Sequence, residues 1–129
     1  MLLVEDEPEL EALLTFILEG NGARIISAGS AIEALSQLEQ RQPDVLVSNV
    51  RLPKEDGRWL IEQVRQLEGG GRELPAIALS SYLGEVDAYE ALRAGFHYFL
   101  SKPLDPDELV QTVLKLAGRA RDGKSENNT

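Results

Sequence analysis

The chain has 129 residues, no cysteine and a formal net charge of −9, from 22 acidic and 13 basic residues. This length fits one domain with a buried core, and the absence of thiols excludes disulfides, thiolate metal sites and cysteine nucleophiles, as is usual in a reducing cytoplasm. The excess of acidic residues argues against direct nucleic-acid or membrane partners, because phosphate groups are bound by clustered Lys and Arg.

Five short apolar runs alternate with five segments whose apolar residues recur at helical spacing. The runs, which are typical of strands covered on both faces, comprise residues 2–4, 24–26, 45–47, 76–79 and 98–100. The helical stripes comprise Leu10, Leu13, Leu14, Ile17 and Leu18; Ala31, Ala34, Leu35 and Leu38; Leu60, Ile61, Val64 and Leu67; Val86, Ala88, Tyr89 and Leu92; and Leu109, Val110, Val113, Leu114 and Ala117. This alternation predicts an α/β fold with a doubly wound, five-stranded parallel sheet.

Capping signals indicate where several helices begin. Pro8 suits the first turn of a helix, and Ser30 and Asp105 are suitable N-cap residues. We expect one domain over residues 1–118. The polar residues 119–129 lack apolar spacing, so we expect them to form a flexible tail.

Polar side chains follow four of the predicted strands, at the edge where an open parallel sheet binds its ligands. They include acids, an amide, hydroxyls and one ammonium group: Glu5, Asp6, Ser48, Asn49, Arg51, Ser80 and Lys102. Acidic groups that lie this close repel one another. The edge therefore requires a cation, which a hard divalent metal, Lys102 or both would supply.

Four segments in this order, LVEDEP, NVRLPKEDG, ALSS and LSKP, resemble the signature segments of the receiver domain of two-component response regulators. The resemblance implies a flavodoxin-like fold with strand order 2-1-3-4-5. It also implies a magnesium site and phosphoryl transfer from a histidine kinase to an aspartate that ends the third strand.

The resemblance assigns a magnesium site to four residues. Glu5 and Asp6 correspond to the acidic pair of the family, and Asp6 is the better candidate for direct contact with the metal. Arg51 corresponds to the residue whose backbone carbonyl binds the ion. Asn49 occupies the place of the phosphoacceptor aspartate, which also contributes to that site.

The resemblance assigns a phosphoryl pocket and a switch to four further residues. Ser80 corresponds to the hydroxyl that contacts the phosphoryl group in the active state, and Lys102 to the lysine that pairs with its oxygens. Phe99 corresponds to the aromatic rotamer switch. The peptide bond between Lys102 and Pro103 corresponds to one that is usually cis in the family.

The amide at Asn49 departs from the family pattern. A carboxamide lacks the nucleophilic carboxylate oxygen that forms an acyl phosphate, and the lost charge weakens the attraction for Mg²⁺. We therefore expect a non-enzymatic pseudo-receiver that acts through protein–protein contacts. The alternative is a phosphate-accepting receiver whose aspartate is substituted in this chain or replaced by another acceptor. Ser48 is a poor replacement, because its side chain should point to the opposite face of the sheet.

Expected partners are a histidine kinase, a phosphotransfer domain or an output domain, and homodimers are a further expectation. The family's output face corresponds here to residues 82–117. A small flavodoxin-like enzyme is disfavoured, because the acidic loop EDEP would repel a phosphate. Whether the chain is a stand-alone protein or part of a hybrid kinase stays open.

Several residues also have plain structural interpretations. We expect the Arg51 side chain to point to solvent and not into the site. We also expect His97 to lie on the surface and Trp59 to be partly buried. Asp56 and Gly57 are expected to form a turn before the third helix.

Overall fold

The computed structural model describes residues 1–67, 73–80, 85–102 and 104–127. In this part of the chain strands and helices alternate, as predicted: β1 (Leu2–Val4), α1 (Pro8–Gly20), β2 (Ile26–Ala28), α2 (Ala31–Gln40), β3 (Leu46–Asn49), α3 (Gly57–Gln66), β4 (Ala76–Ser80), α4 (Glu85–Ala94), β5 (Tyr98–Ser101) and α5 (Pro106–Asn127). Among the candidate site residues, Pro103 and its preceding peptide bond lie outside the described residues.

The strands form one parallel sheet in the order β2-β1-β3-β4-β5, which confirms the predicted topology. Strand order reverses between β1 and β3, where Val4 lies opposite Ser48. The residues that follow these two positions are Glu5 and Asn49. The register of the sheet therefore places an acid and the amide side by side at the carboxyl ends of neighbouring strands.

Two apolar layers cover the sheet. The layer beneath α2, α3 and α4 includes Leu2, Val4, Leu46, Leu60, Ile61, Val64 and Ala91, and the layer beneath α1 and α5 includes Leu3, Leu14, Leu18, Val47, Ile77, Leu79 and Leu109. Consecutive residues of the central strands alternate between the two layers, which is why β1, β3 and β4 carry apolar residues at successive positions and not only at every second one.

The predicted helix starts are confirmed. Pro8 is the first residue of α1, and the Ser30 side chain accepts a hydrogen bond from the Glu33 N–H at 3.2 Å. The Asp105 side chain accepts one from the Asp107 N–H at 2.9 Å. Within the described residues, no helix is long and apolar enough to cross a membrane.

The predicted inner face of α4 is wrong. Tyr89 and Leu92 were expected to face the core, but they are 61% and 49% exposed, whereas Ala91 is fully buried. Among its described side chains, Ala91 is buried in the core and Ala94 packs against it. Apolar spacing alone predicted the wrong face of this helix, because exposed apolar residues are common on folded proteins.

Similar deviations occur at single positions elsewhere. Leu13 in α1 and Leu114 in α5 are 53% and 51% exposed, and Leu116 replaces Leu114 as a core residue. Strand β2 begins at Ile26, two residues later than predicted. Element boundaries are set by backbone pairing with the neighbouring strand, which a short apolar run does not specify.

Helix α5 continues to Asn127, where the sequence predicted a polar tail from residue 119. Once a helix is anchored, each added residue contributes one backbone hydrogen bond without a new nucleation cost. Residues 119–127 can therefore continue the helix without an apolar stripe of their own.

Candidate functional site

A tight corner after β3 positions the amide. The Val50 N–H donates to the Leu79 carbonyl and the Gly57 N–H donates to the Val50 carbonyl, both at 2.8 Å. These bonds bring Gly57 so close to β3 that a Cβ atom on it would lie 2.1 Å from the Asn49 carbonyl oxygen. Asp56 completes the corner as the N-cap of α3, accepting a hydrogen bond from the Trp59 N–H at 3.0 Å. The turn predicted for Asp56 and Gly57 is therefore corrected to a helix start, with Asp56 as the N-cap and Gly57 as the first residue of α3.

Four of the predicted site residues form one hydrogen-bonded group, which we call the site cluster: Glu5, Asp6, Asn49 and Lys102. Asn49 Nδ2 donates to Glu5 Oε1 at 2.7 Å and to Asp6 Oδ1 at 3.2 Å. Lys102 Nζ donates to Glu5 Oε2 at 3.2 Å. The residues that follow β1, β3 and β5 thus meet at one edge of the sheet.

The Glu5 carboxylate is the centre of the site cluster. Its side chain is fully shielded from solvent, and that of Lys102 is 14% exposed. A buried carboxylate is unfavourable unless it is paired and hydrogen-bonded. Glu5 satisfies this condition through Lys102 and Asn49, and through the Glu7 N–H, which donates to Oε1 at 3.1 Å.

The neighbours of Asn49 determine how its amide is oriented. Two carboxylate oxygens lie within hydrogen-bond distance of one end of the amide, so the NH₂ group belongs there, because an oxygen would repel both. Asn49 Oδ1 is buried, and no hydrogen-bond partner for it is found in the described part of the chain. Buried polar atoms of this kind are uncommon in folded proteins.

The remaining candidates have different surroundings. Ser80 ends β4 and is buried, and its carbonyl accepts a 2.7 Å hydrogen bond from the Lys102 N–H. Phe99 is half-buried against the layer beneath α2, α3 and α4, and Arg51 is exposed, as expected. The buried Ser48 hydroxyl donates to the Asn49 carbonyl at 2.9 Å.

Sequence reasoning missed two contacts, of which only the first lies at the site. One is the close approach of Gly57 to the Asn49 backbone. The other is Arg65, whose Nη1 donates to the Leu74 carbonyl at 2.7 Å and whose Nη2 donates to the Gly95 carbonyl at 2.7 Å. The aspartate–glycine pair was a signal for the first contact. No local signal marks the second, because its partners are distant in sequence.

The site cluster, as its side chains stand, does not fit a divalent cation. Mg²⁺ requires oxygen ligands in near-octahedral geometry, but β3 presents the nitrogen of Asn49 to the acidic pair. Over residues 1–67, 73–80, 85–102 and 104–127, no group of three or more His, Cys, Asp or Glu could hold a metal. Asp6 remains an exposed carboxylate at the edge of the cluster.

A family profile described as "Response regulator receiver domain" matches residues 1–114. The chain belongs to this family. The receiver domain is 49% identical over 113 residues to an uncharacterized 14.6 kDa protein in the sodA1 3′ region of Leptolyngbya boryana, covering 88% of this chain and 86% of that protein. It is 31% identical over 120 residues to the response regulator Rre1 of Synechocystis, covering 92% of this chain and 52% of Rre1.

Another relative is much longer than this chain. The receiver domain is 33% identical over 113 residues to the transcriptional regulatory protein GlrR of Escherichia coli, covering 88% of this chain and 25% of GlrR. It thus spans about half of Rre1 and a quarter of GlrR.

Solved receiver structures share the fold. The signal receiver domain of a signal transduction histidine kinase from Syntrophus aciditrophicus has a TM-score of 0.83 at 29% identity, covering 91% of this chain and 88% of that one. The receiver domain of the sensor histidine kinase PA1611 from Pseudomonas aeruginosa has a TM-score of 0.84 at 31% identity, covering 91% and 95%. That structure holds a magnesium ion coordinated in its active-site cleft.

Proposed function

We propose that this receiver domain is a pseudo-receiver, a two-component signalling module that accepts no phosphoryl group at Asn49 and acts through protein–protein contacts. Asn49 takes the position of the phosphoacceptor aspartate in this proposal. One observation carries it: the side chain that ends β3 beside Glu5 and Asp6 is a buried carboxamide whose NH₂ group is hydrogen-bonded to both acids.

The chemistry of the amide supports this proposal. Formation of an acyl phosphate requires a carboxylate oxygen that attacks phosphorus while the bond from phosphorus to the donor breaks. The amide oxygen of Asn49 is neutral and weakly nucleophilic, and the amide nitrogen has a delocalised lone pair. The domain is therefore proposed to be a binding module and not an enzyme.

In this proposal the other residues of the site correspond to those of the family, and only the phosphoacceptor carboxylate is missing. Lys102 forms an ion pair with Glu5, and Ser80 lies buried at the end of β4. In this proposal Lys102 and Ser80 line a phosphoryl pocket that is not used, and Phe99 packs without a phosphoryl-driven switch. Magnesium binding by Glu5, Asp6, Asn49 and Arg51 is proposed to be weaker than in a receiver with an aspartate at this position.

The alternative, a receiver that accepts phosphate on another residue, finds little support around β3. The nearest hydroxyl in sequence, that of Ser48, is buried and donates to the Asn49 carbonyl. The retained pair of Glu5 and Lys102 instead supports a scaffold that lacks only its acceptor.

The proposed partners are those of the family, a histidine kinase, a phosphotransfer domain or an output domain. One relative is the sensor histidine kinase GacS of Pseudomonas protegens, 31% identical over 122 residues, which matches over 13% of its own length. Residues 82–117 are the proposed docking face. Residues 82–84 of this face lie outside the described part of the chain, and among its described side chains Tyr89, Leu92 and Leu114 are large, apolar and about half exposed or more. A homodimer through the same face is part of the proposal.

Beryllium fluoride, which mimics a phosphoryl group on a carboxylate, tests the proposal. Backbone NMR spectra of the wild-type domain with Mg²⁺ should not change when beryllium fluoride is added. The Asn49→Asp variant should show shifts at Ser80 and Lys102. Asn21→Asp, the same substitution at an exposed position, should behave like the wild type. Saturable shifts in the wild type would contradict the proposal.

A further inference from the structure

Asn49 links Glu5 and Asp6 through hydrogen bonds, as a divalent cation could link two carboxylates through coordination. Asn49 Nδ2 carries two hydrogens and lies within hydrogen-bond distance of two carboxylates, Glu5 at 2.7 Å and Asp6 at 3.2 Å. An amide NH₂ group carries partial positive charge and has two donors at a fixed angle. It can therefore bridge two acceptors that would otherwise repel each other.

We propose that the Asn49 carboxamide replaces a divalent cation as the group that bridges Glu5 and Asp6, so that the site cluster is ordered without metal. This inference deepens the proposed function and rests on it, because it gives the residue that cannot accept a phosphoryl group a positive structural role. The signalling state of the domain would then be insensitive to the magnesium concentration.

The charges of the site cluster favour this arrangement. Two carboxylates and the ammonium group of Lys102 leave one net negative charge, and Lys102 lies 3.2 Å from Glu5. An aspartate in place of Asn49 would add a second negative charge and remove the bridging donors. The carboxylates would then repel one another more strongly and would attract a dication more strongly. With a carboxamide at position 49, both the repulsion and the attraction are weaker.

A cation would also have to displace the amide. To bind an ion held by Asp6, Asn49 would have to turn its amide by half a revolution and present Oδ1, which breaks both hydrogen bonds to the acids. Oδ1 now lies buried and without a partner among the described residues. Magnesium and the internal hydrogen bonds therefore compete for the same side chain.

Side-chain NMR of the ¹⁵N-labelled domain tests this competition directly. We expect the Asn49 NH₂ resonances and the couplings across its two hydrogen bonds to stay unchanged as MgCl₂ is added. The NH₂ group of Asn21, which donates to the Ile17 carbonyl at 2.8 Å, is an internal control. Loss of the Asn49 couplings during a saturable titration would overturn the proposal, and this result needs no variant.

Thermal unfolding supplies the second measurement. The melting temperature of the wild type should not depend on MgCl₂, whereas that of Asn49→Asp should rise with MgCl₂, because a full negative charge then faces the ion. Asn21→Asp should follow the wild type. Equal magnesium dependence in the wild type and in Asn49→Asp would contradict the inference. A phosphoryl or beryllium fluoride adduct on the wild type would instead contradict the proposed function, so the two failures are distinguishable.

Discussion

At the scale of single residues, Glu5 holds the site cluster together. Its carboxylate is fully shielded and receives hydrogen bonds from Asn49, from Lys102 and from the Glu7 backbone. Only Lys102 supplies a full opposite charge to it within the cluster. Lys102 should therefore contribute more to the stability of the fold than a lysine near the surface usually does.

Replacing Lys102 by Met should lower the free energy of unfolding by about 2–3 kcal/mol, because it leaves Glu5 buried without its counter-charge. Adding Glu5→Gln should recover part of this loss, since the buried charge is then gone as well. Urea denaturation, followed by the fluorescence of the single tryptophan, Trp59, measures both effects. A Lys102→Met variant as stable as the wild type would show that the ion pair is not needed.

Gly57 is the second residue on which the site depends. Its Cβ atom would lie 2.1 Å from the Asn49 carbonyl, so Gly57→Ala should shift β3 or α3 and cost about 2 kcal/mol or more in unfolding free energy. Gly20→Ala is the matched control, because no atom lies within 4 Å of the added Cβ. That control should be neutral or should stabilise α1 by up to about 1 kcal/mol. Equal stability of the two variants would be inconsistent with the close contact.

At the scale of elements, Arg65 joins α3 to the segment before β4 and to the segment after α4. Its guanidinium donates to the Leu74 carbonyl before β4 and to the Gly95 carbonyl after α4. Burial lowers the pKa of Arg65 from its usual value, but an arginine remains protonated at neutral pH. The exposed His97, a surface residue as predicted, accepts the Ala76 N–H at 3.1 Å beside it.

Arg65→Gln should therefore lower the unfolding free energy by about 2 kcal/mol, because several charge-assisted hydrogen bonds to carbonyl groups are lost. Arg65→Lys should recover little of it, since an ammonium group cannot reproduce the planar fork that reaches both carbonyls. Hydrogen exchange of α4 amides should rise in both variants. Full recovery by lysine would indicate that charge alone, and not the geometry of the fork, matters here.

At the scale of the whole molecule, the sequence predicted the alternation of elements, the sheet order and the contact of Glu5, Asp6, Asn49 and Lys102. The alternation and the contact follow from apolar runs and from the residues at the ends of parallel strands, whereas the strand order was implied by the resemblance to receiver domains. The inner face of α4 was missed, because Tyr89 and Leu92 carry more apolar surface than Ala91, which is the residue that packs. The helical backbone of residues 119–127 was missed, because it continues from an anchored helix.

The orientation of the Asn49 amide also could not be predicted from sequence. It depends on distances between side chains that lie far apart along the chain, 2.7 Å to Glu5 and 3.2 Å to Asp6. The sequence indicated only that an amide lies at the end of β3. The structure adds that this group satisfies the neighbouring acids with its own hydrogens.

Intact-mass spectrometry after treatment with acetyl phosphate and magnesium tests the central claim most directly. The wild-type domain should keep its mass, and Asn49→Asp should gain one phosphoryl group, because the scaffold lacks only a carboxylate at the end of β3. A wild-type adduct that peptide fragmentation maps to Asn49 or Ser48 would contradict the account.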